Sequence, residues 1–199
     1  MKKTRAKKIK LIQIIGETKF KKSHQYFIDL VKGLDKKKFE ITCIAPPGDL
    51  LSKLKKIKQI EIRAISMVKR WDFHALSKIR ETVKEINKNG QAKAIIHCHG
   101  DRAGQLGRLA CVSTWRKAPY IIYTESQIAS VKFLTILRLW FLDLFTNNTI
   151  TFSAPVVEFL IKKRITRPEK IVMLKGEEKE GKEKSSSAIK KLEEFYKQV

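Results

Sequence analysis

The 199-residue chain lacks most features that assign a protein to a class at sight. It has three cysteines, Cys43, Cys98 and Cys111, widely spaced and with no CxxC pair. That pattern is no disulfide framework and points to a reducing, cytosolic setting. Acidic residues are scarce: 20 Asp+Glu stand against 43 Lys+Arg, a formal charge of +23. A run of apolar residues long enough to cross a bilayer is also missing. The most hydrophobic stretch, FLTILRLWFLDLF (133–145), is too short and carries Arg138 and Asp143. The start, MKKTRAKKIK, is basic but lacks the apolar core and cleavage site of a secretory signal, so residues 1–8 read as a basic tail. No segment recurs with a fixed period.

Catalytic signatures are missing as well. The loop after the first apolar run, IIGETKFKKSHQ (14–25), contains only Gly16. It is not GxGxxG, and without those glycines a backbone cannot wrap a dinucleotide pyrophosphate. GxxxxGK[ST] is absent, which argues against P-loop ATP hydrolysis. There is no GxSxG; Ser153 follows a strand, where a serine also serves as a helix N-cap. Zinc-finger spacing and aromatic RNP strands are absent, so nucleic acid is not an expected partner, although the charge favours polyanions in general.

What is present is a strict alternation. Apolar, β-branched runs read as strands at 9–15, 39–45, 60–65, 94–98, 119–124, 148–152 and 170–174. Helical patterns fill the gaps at 24–34, 49–57, 73–88, 102–114, 133–145 and 154–163. Asp72 is placed to cap the third of these, and Asn89 and Gly90 to end it. Alternating strands and helices mean βαβ units. The strands are apolar throughout, as strands covered on both faces must be. The fold class is therefore α/β: a single Rossmann-like domain with a mainly parallel sheet and helices on both faces, spanning 9–176. Beyond it, 177–187 is charged and Ser-rich and reads as a linker. AIKKLEEFYKQV (188–199) is a short amphipathic helix that needs a surface to pack on.

In an open α/β sheet, ligands bind beyond the C-terminal ends of the strands. That rule selects the loops at 16–23, 46–49, 97–102, 124–127 and Ser153. Two histidines, His97 and His99, stand at the end of the fourth strand, two residues apart and hence on one side of it. A metal pair needs at least a third ligand, and none is obviously placed to supply it. Packing at a strand end and the polar wall of a ligand cleft both remain open. Lys19, Lys21 and Lys22 read either as phosphate-meeting point charges or as a solvated loop. The 133–145 segment reads either as a core helix or as an interfacial one.

Five segments, in order, resemble a known family. HQYFIDLVKGLDKKKFEITCIAPPGDLLSKLKK is similar to its first helix, second strand and turn. AIIHCHGDRAGQLGRLA resembles its "IVHAH…AG.LGRLAA" segment, and APYIIYTES its "P.IYTEH" strand. FSAPVVEFLIKKRITRPEKIVMLKG resembles its closing segment. AIKKLEEFYKQV resembles its final helix, which crosses back onto the N-terminal domain. The family is the family 4 glycosyltransferases of the GT-B fold, and the match is to their N-terminal, acceptor-side domain, over roughly residues 9–176.

The resemblance implies a hexosyltransferase-type activity with a nucleotide-sugar donor and no metal. It places Gly16, Lys21, Lys22, His24, His97, His99, Gly100, Arg102, Thr124, Glu125, Ser126 and Ser153 on the acceptor side of an interdomain cleft, with the histidines as polar walls. No catalytic residue is assigned. The departures from the family are specific. Lys21 and Lys22 stand near the place of its paired glycines, Ser126 replaces the "TEH" histidine, and Lys175-Gly176 replaces Asn-Gly. The donor-binding second Rossmann domain has no counterpart in these residues. The expectation is an acceptor-binding half that binds no cofactor alone and needs a donor-binding Rossmann subunit. The alternative is a non-catalytic glycan-, lipid- or protein-binding module. A cytoplasmic location, peripheral contact with an anionic membrane or a lipid-linked acceptor, and self-association through an uncovered domain face complete the expectations.

Overall fold

The computed structural model describes residues 8–20, 24–88, 94–112, 119–125, 132–174 and 182–199, the side chains of the last segment from Ser187 onward. Its strands are β1 (Ile9–Ile15), β2 (Phe39–Ala45), β3 (Glu61–Ala64), β4 (Ile95–His99), β5 (Tyr120–Thr124), β6 (Asn148–Thr151) and β7 (Ile171–Met173). Its helices are α1 (Gln25–Gly33), α2 (Asp49–Leu54), α3 (Phe73–Lys88), α4 (Gly100–Val112), α5 (Phe133–Asp143), α6 (Ala154–Lys162) and α7 (Lys182–Gln198). A 3-10 turn, Pro168–Lys170, leads into β7.

The seven strands form one sheet in the order β3-β2-β1-β4-β5-β6-β7, and each neighbouring pair is parallel. The chain winds outward from β1 to β3, then returns to lay β4 on the other side of β1. The β1/β4 junction is thus the switch point, where such sheets leave a crevice at the strand ends.

The period of two along each strand sorts the core into layers. On one face, Leu11, Ile15, Ile41, Cys43, Ile95 and Ile122 pack with Phe27, Leu30, Val31 and Leu34 of the α1 segment, Leu50 and Leu54 of α2, and Ile189, Leu192 and Tyr196 of α7. On the other, Ile12, Ile14, Ile96, Cys98 and Tyr123 pack with Ala75, Ile79 and Val83 of α3 and Ala103, Leu106 and Ala110 of α4. A smaller cluster joins Leu139 of α5 to Val156 and Leu160 of α6 and to Ile165. Burying side chains of this size stabilises by about 1.5–3 kcal/mol each, so the three α7 anchors hold that helix firmly on the sheet.

One expectation changes. The C-terminal helix begins at Lys182, so residues 182–187 of the expected linker are helical. After Gly181 there is no Gly or Pro to stop a helix, and a docked segment propagates into adjoining Lys, Glu and Ser residues. The 133–145 segment, read either as a core helix or as an interfacial one, is only partly core. Leu139 and Leu142 are buried, while Phe133, Leu134, Leu137, Trp140, Phe141 and Leu144 face outward. Asn89, Gly90, Lys175 and Gly176 lie outside the described residues.

Candidate functional site

The strand ends are drawn together around the β1/β4 junction. Gly16 closes β1 against the start of α4: a methyl group there would stand 3.0 Å from Arg102 Cβ and 3.1 Å from the Ala103 nitrogen. Arg102 clasps two loops, its Nη1 donating to the carbonyls of Gly16 (3.2 Å) and Met67 (2.8 Å). The loop after β2 closes onto the loop after β1 through Gly48, whose φ is +151° and whose added Cβ would sit 2.4 Å from the Thr18 carbonyl oxygen. Only glycine allows that backbone approach. Gly100 opens α4 at φ +76°, with the Glu17 carboxylate against it.

Beneath this edge lies a buried polar chain. His97 and His99 share one side of β4, as their spacing predicts, with ring centroids 4.0 Å apart. Four hydrogen bonds, three of them to the rings, link them into one chain. His99 Nε2–H donates to Gln13 Oε1 (2.6 Å), and Gln13 Nε2–H donates to the Tyr196 hydroxyl (3.2 Å). The Tyr196 hydroxyl donates to His97 Nδ1 (2.5 Å), and His97 Nε2–H donates to Thr124 Oγ1 (2.5 Å). With both imidazoles as neutral Nε2–H tautomers, every donor in the chain meets an acceptor. Burial enforces that state. It pushes His99 down to about 3. It also holds His97 well below the ordinary histidine range, with His99 beside it adding to the effect.

The expected polar walls of a cleft are therefore interior groups. His97 is 0% exposed and His99 6%. The Tyr196 ring packs at the edge of His97, and Phe27 at the edge of His99. The physical reason is α7, whose amphipathic face lands on the side of the sheet to which both rings point. Thr124, the last residue of β5, ends the chain of bonds at the strand edge. Beside it, Glu125 is also buried. Its backbone N–H donates to the Ile150 carbonyl (3.0 Å), and its carboxylate accepts from the Tyr123 hydroxyl (2.5 Å). The Arg108 guanidinium lies 4.0 Å from the centre of the Tyr123 ring.

The other expected residues are dispersed. His24 occupies the N-cap position of α1 without a side-chain capping hydrogen bond and meets Phe20 edge-on at 6.4 Å. Ser153 occupies the N-cap of α6 in extended conformation, but its hydroxyl makes no capping hydrogen bond. Lys21, Lys22 and Ser126 lie outside the described residues. Gln13 and Tyr196, which complete the buried chain, were not foreseen. The only sequence signals were a lone glutamine inside an apolar strand and a tyrosine on the apolar face of the last helix. Among the described residues no group of three or more His, Cys, Asp or Glu is placed to hold a metal ion. The same residues include no helix long and apolar enough to cross a membrane.

The sheet order and its parallel winding define a class: a doubly wound α/β domain with the architecture of one half of a GT-B protein. The comparison with solved structures agrees. A glycosyltransferase from Rickettsia africae superposes with a TM-score of 0.66 at 16% identity, over 84% of this chain and 43% of its own. Anabaena Alr3699/HepE, solved in complex with UDP-glucose, gives a TM-score of 0.62 at 13% identity, over 84% and 43%. The UDP-N-acetylglucosamine 2-epimerase of Rickettsia bellii gives 0.52 at 12% identity, over 83% and 44%. At such identities the likeness is one of fold, and the chain spans less than half the length of these proteins. No protein-family profile matches the sequence. No curated protein matches it either.

Proposed function

We propose that this chain is the acceptor-side half of a GT-B sugar transferase of the family 4 type, paired in function with a second Rossmann unit that carries the nucleotide sugar. One observation supports the reading above others. The described residues form a whole Rossmann half whose last helix, α7, packs back onto the sheet through Ile189, Leu192 and Tyr196, and the solved structures sharing the fold include a glycosyltransferase and a UDP-glucose complex. Transfer requires donor and acceptor to be held together and shielded from water. A single open strand edge does neither, so the isolated 199-residue chain turns over no sugar nucleotide.

The test is affinity capture of the tagged chain from its source cells, followed by reconstitution. A stoichiometric partner with a nucleotide-sugar-binding Rossmann domain, and transfer only by the pair, is the expected result. Steady transfer by the pure chain refutes the division of labour. A second reading, a non-catalytic binding module, draws on the burial of both histidines behind α7. It gains if no donor-binding partner exists and the chain still binds a glycan or lipid.

A further inference from the structure

The outer face of α5 is apolar where a surface helix should be polar. Phe133, Leu137, Trp140 and Leu144 follow one another at helical spacing, with Leu134 and Phe141 beside them. Phe133 is 75% exposed, Leu134 76% and Trp140 51%. Single exposed apolar side chains are ordinary, but a contiguous row of six is not. A second exposed group stands where the chain enters α3: Val68 and Trp71 on the loop before it and Phe73, its first residue. Both groups are tied to one residue. Asp101, in the first turn of α4, pairs with Arg70 (2.8 Å) from that loop and with Arg138 (2.7 Å) from α5.

Charge and position select the occupant. Lys69, Arg70 and Lys132 border this surface at the strand-end side, and Lys162, Lys163 and Arg164, all exposed, close α6, which shares a core cluster with α5. Of the nearby acids, Asp72, between Trp71 and Phe73, accepts from the Val68 and Ala75 backbone N–H groups, Asp101 lies between two arginines and Asp143 is held by Lys170 (3.0 Å); Glu158 and Glu169 remain exposed on the α6 side. Tryptophan and phenylalanine rings among lysines and arginines suit the headgroup–acyl boundary of an anionic bilayer. A second copy fits poorly, because self-pairing would bring one +23 chain against another. A second Rossmann unit over the strand ends would reach only the first turn of α5. The helix runs away from that edge, and just past its far end Asn147 bonds the beginning of β5 through Ile121.

We propose that the outer face of α5, together with Val68, Trp71 and Phe73, seats this chain on an anionic lipid bilayer. The inference deepens the acceptor-side reading by naming the surface at which an acceptor is met, yet it can be tested without any transfer.

The experiment uses the full chain with vesicles of phosphatidylcholine, alone or mixed with phosphatidylglycerol. A W71F/W115F variant keeps Trp140 as the single reporter. Co-sedimentation with the mixed vesicles and a blue shift of Trp140 emission are expected. L137E/L144E alters two exposed side chains and should lower vesicle affinity by about tenfold or more, with an unchanged thermal melt. K162E/K163E should weaken binding to the mixed vesicles alone. Absence of vesicle binding, or equal binding by L137E/L144E, overturns the proposal. A concentration-dependent dimer that L137E/L144E abolishes overturns it in favour of a second copy. Vesicle binding without transfer by any reconstituted pair would leave this proposal standing and remove the transferase reading.

Discussion

Acidification should unfold this protein through two side chains, and the size of the effect follows from where they sit. In the unfolded chain a histidine titrates near pH ~6.5. In the folded chain burial pushes His99 down to about 3 and holds His97 well below the ordinary range. The unfolded state therefore binds more protons, so stability falls as pH falls. The contribution is complete above the unfolded value and is lost from about pH 6.5 down toward the folded one. Between pH 7 and pH 5 the neutral buried His99 alone loses about 2 kcal/mol, and His97 acts in the same direction. That is a large share of the ~5–15 kcal/mol typical of a domain. Geometry reinforces the argument. A proton on His97 would go to Nδ1, which already accepts from the Tyr196 hydroxyl, and a charge on both rings would place two cations 4.0 Å apart. Urea unfolding at pH 7, 6 and 5 measures the loss directly. An H97Q/H99Q variant, less stable at pH 7 but without titrating groups there, should lose most of the slope. A wild-type stability that is flat between pH 7 and 5, or an equal slope in the variant, would refute the reasoning.

Two further outcomes follow from the same core. Tyr196→Phe removes a hydroxyl that donates to His97 and accepts from Gln13, leaving two buried polar groups unpaired. It should cost about 2–4 kcal/mol in urea unfolding, and a loss below about 0.5 kcal/mol would show that α7 is not anchored there. Cys43 and Cys98 are buried thiols that burial raises to about 12, so disulfide-exchange reagents at mildly alkaline pH should label them only as fast as the protein unfolds. Labelling at the rate of a free thiol would show that either side of the sheet opens in the native state.

Much of the architecture was present in the linear pattern. Apolar runs of strand length between helical segments dictate parallel βαβ winding, because a parallel crossover has to travel back along the sheet. The third helix, 73–88, coincides with its sequence expectation. The placement of His97 and His99 on one side of β4 needed only the period of two. Other features depended on what each surface meets. Nothing local says that Gln13 and Tyr196, 183 residues apart, bond each other and close over the histidines. Nothing local separates a buried apolar helix from an exposed one, because both read as Phe, Leu and Trp at helical spacing, and only the neighbours of α5 decide which side chains are covered. Periodicity fixes which residues share a face. It carries no information about what lands on that face, since the landing joins distant parts of the chain and is set by the packing of the whole domain. So the sequence determined the sheet, its winding and the pairing of the two histidines. The tertiary structure decided that the histidines are interior, that the last helix seals them, and that an apolar row of α5 is left facing outward.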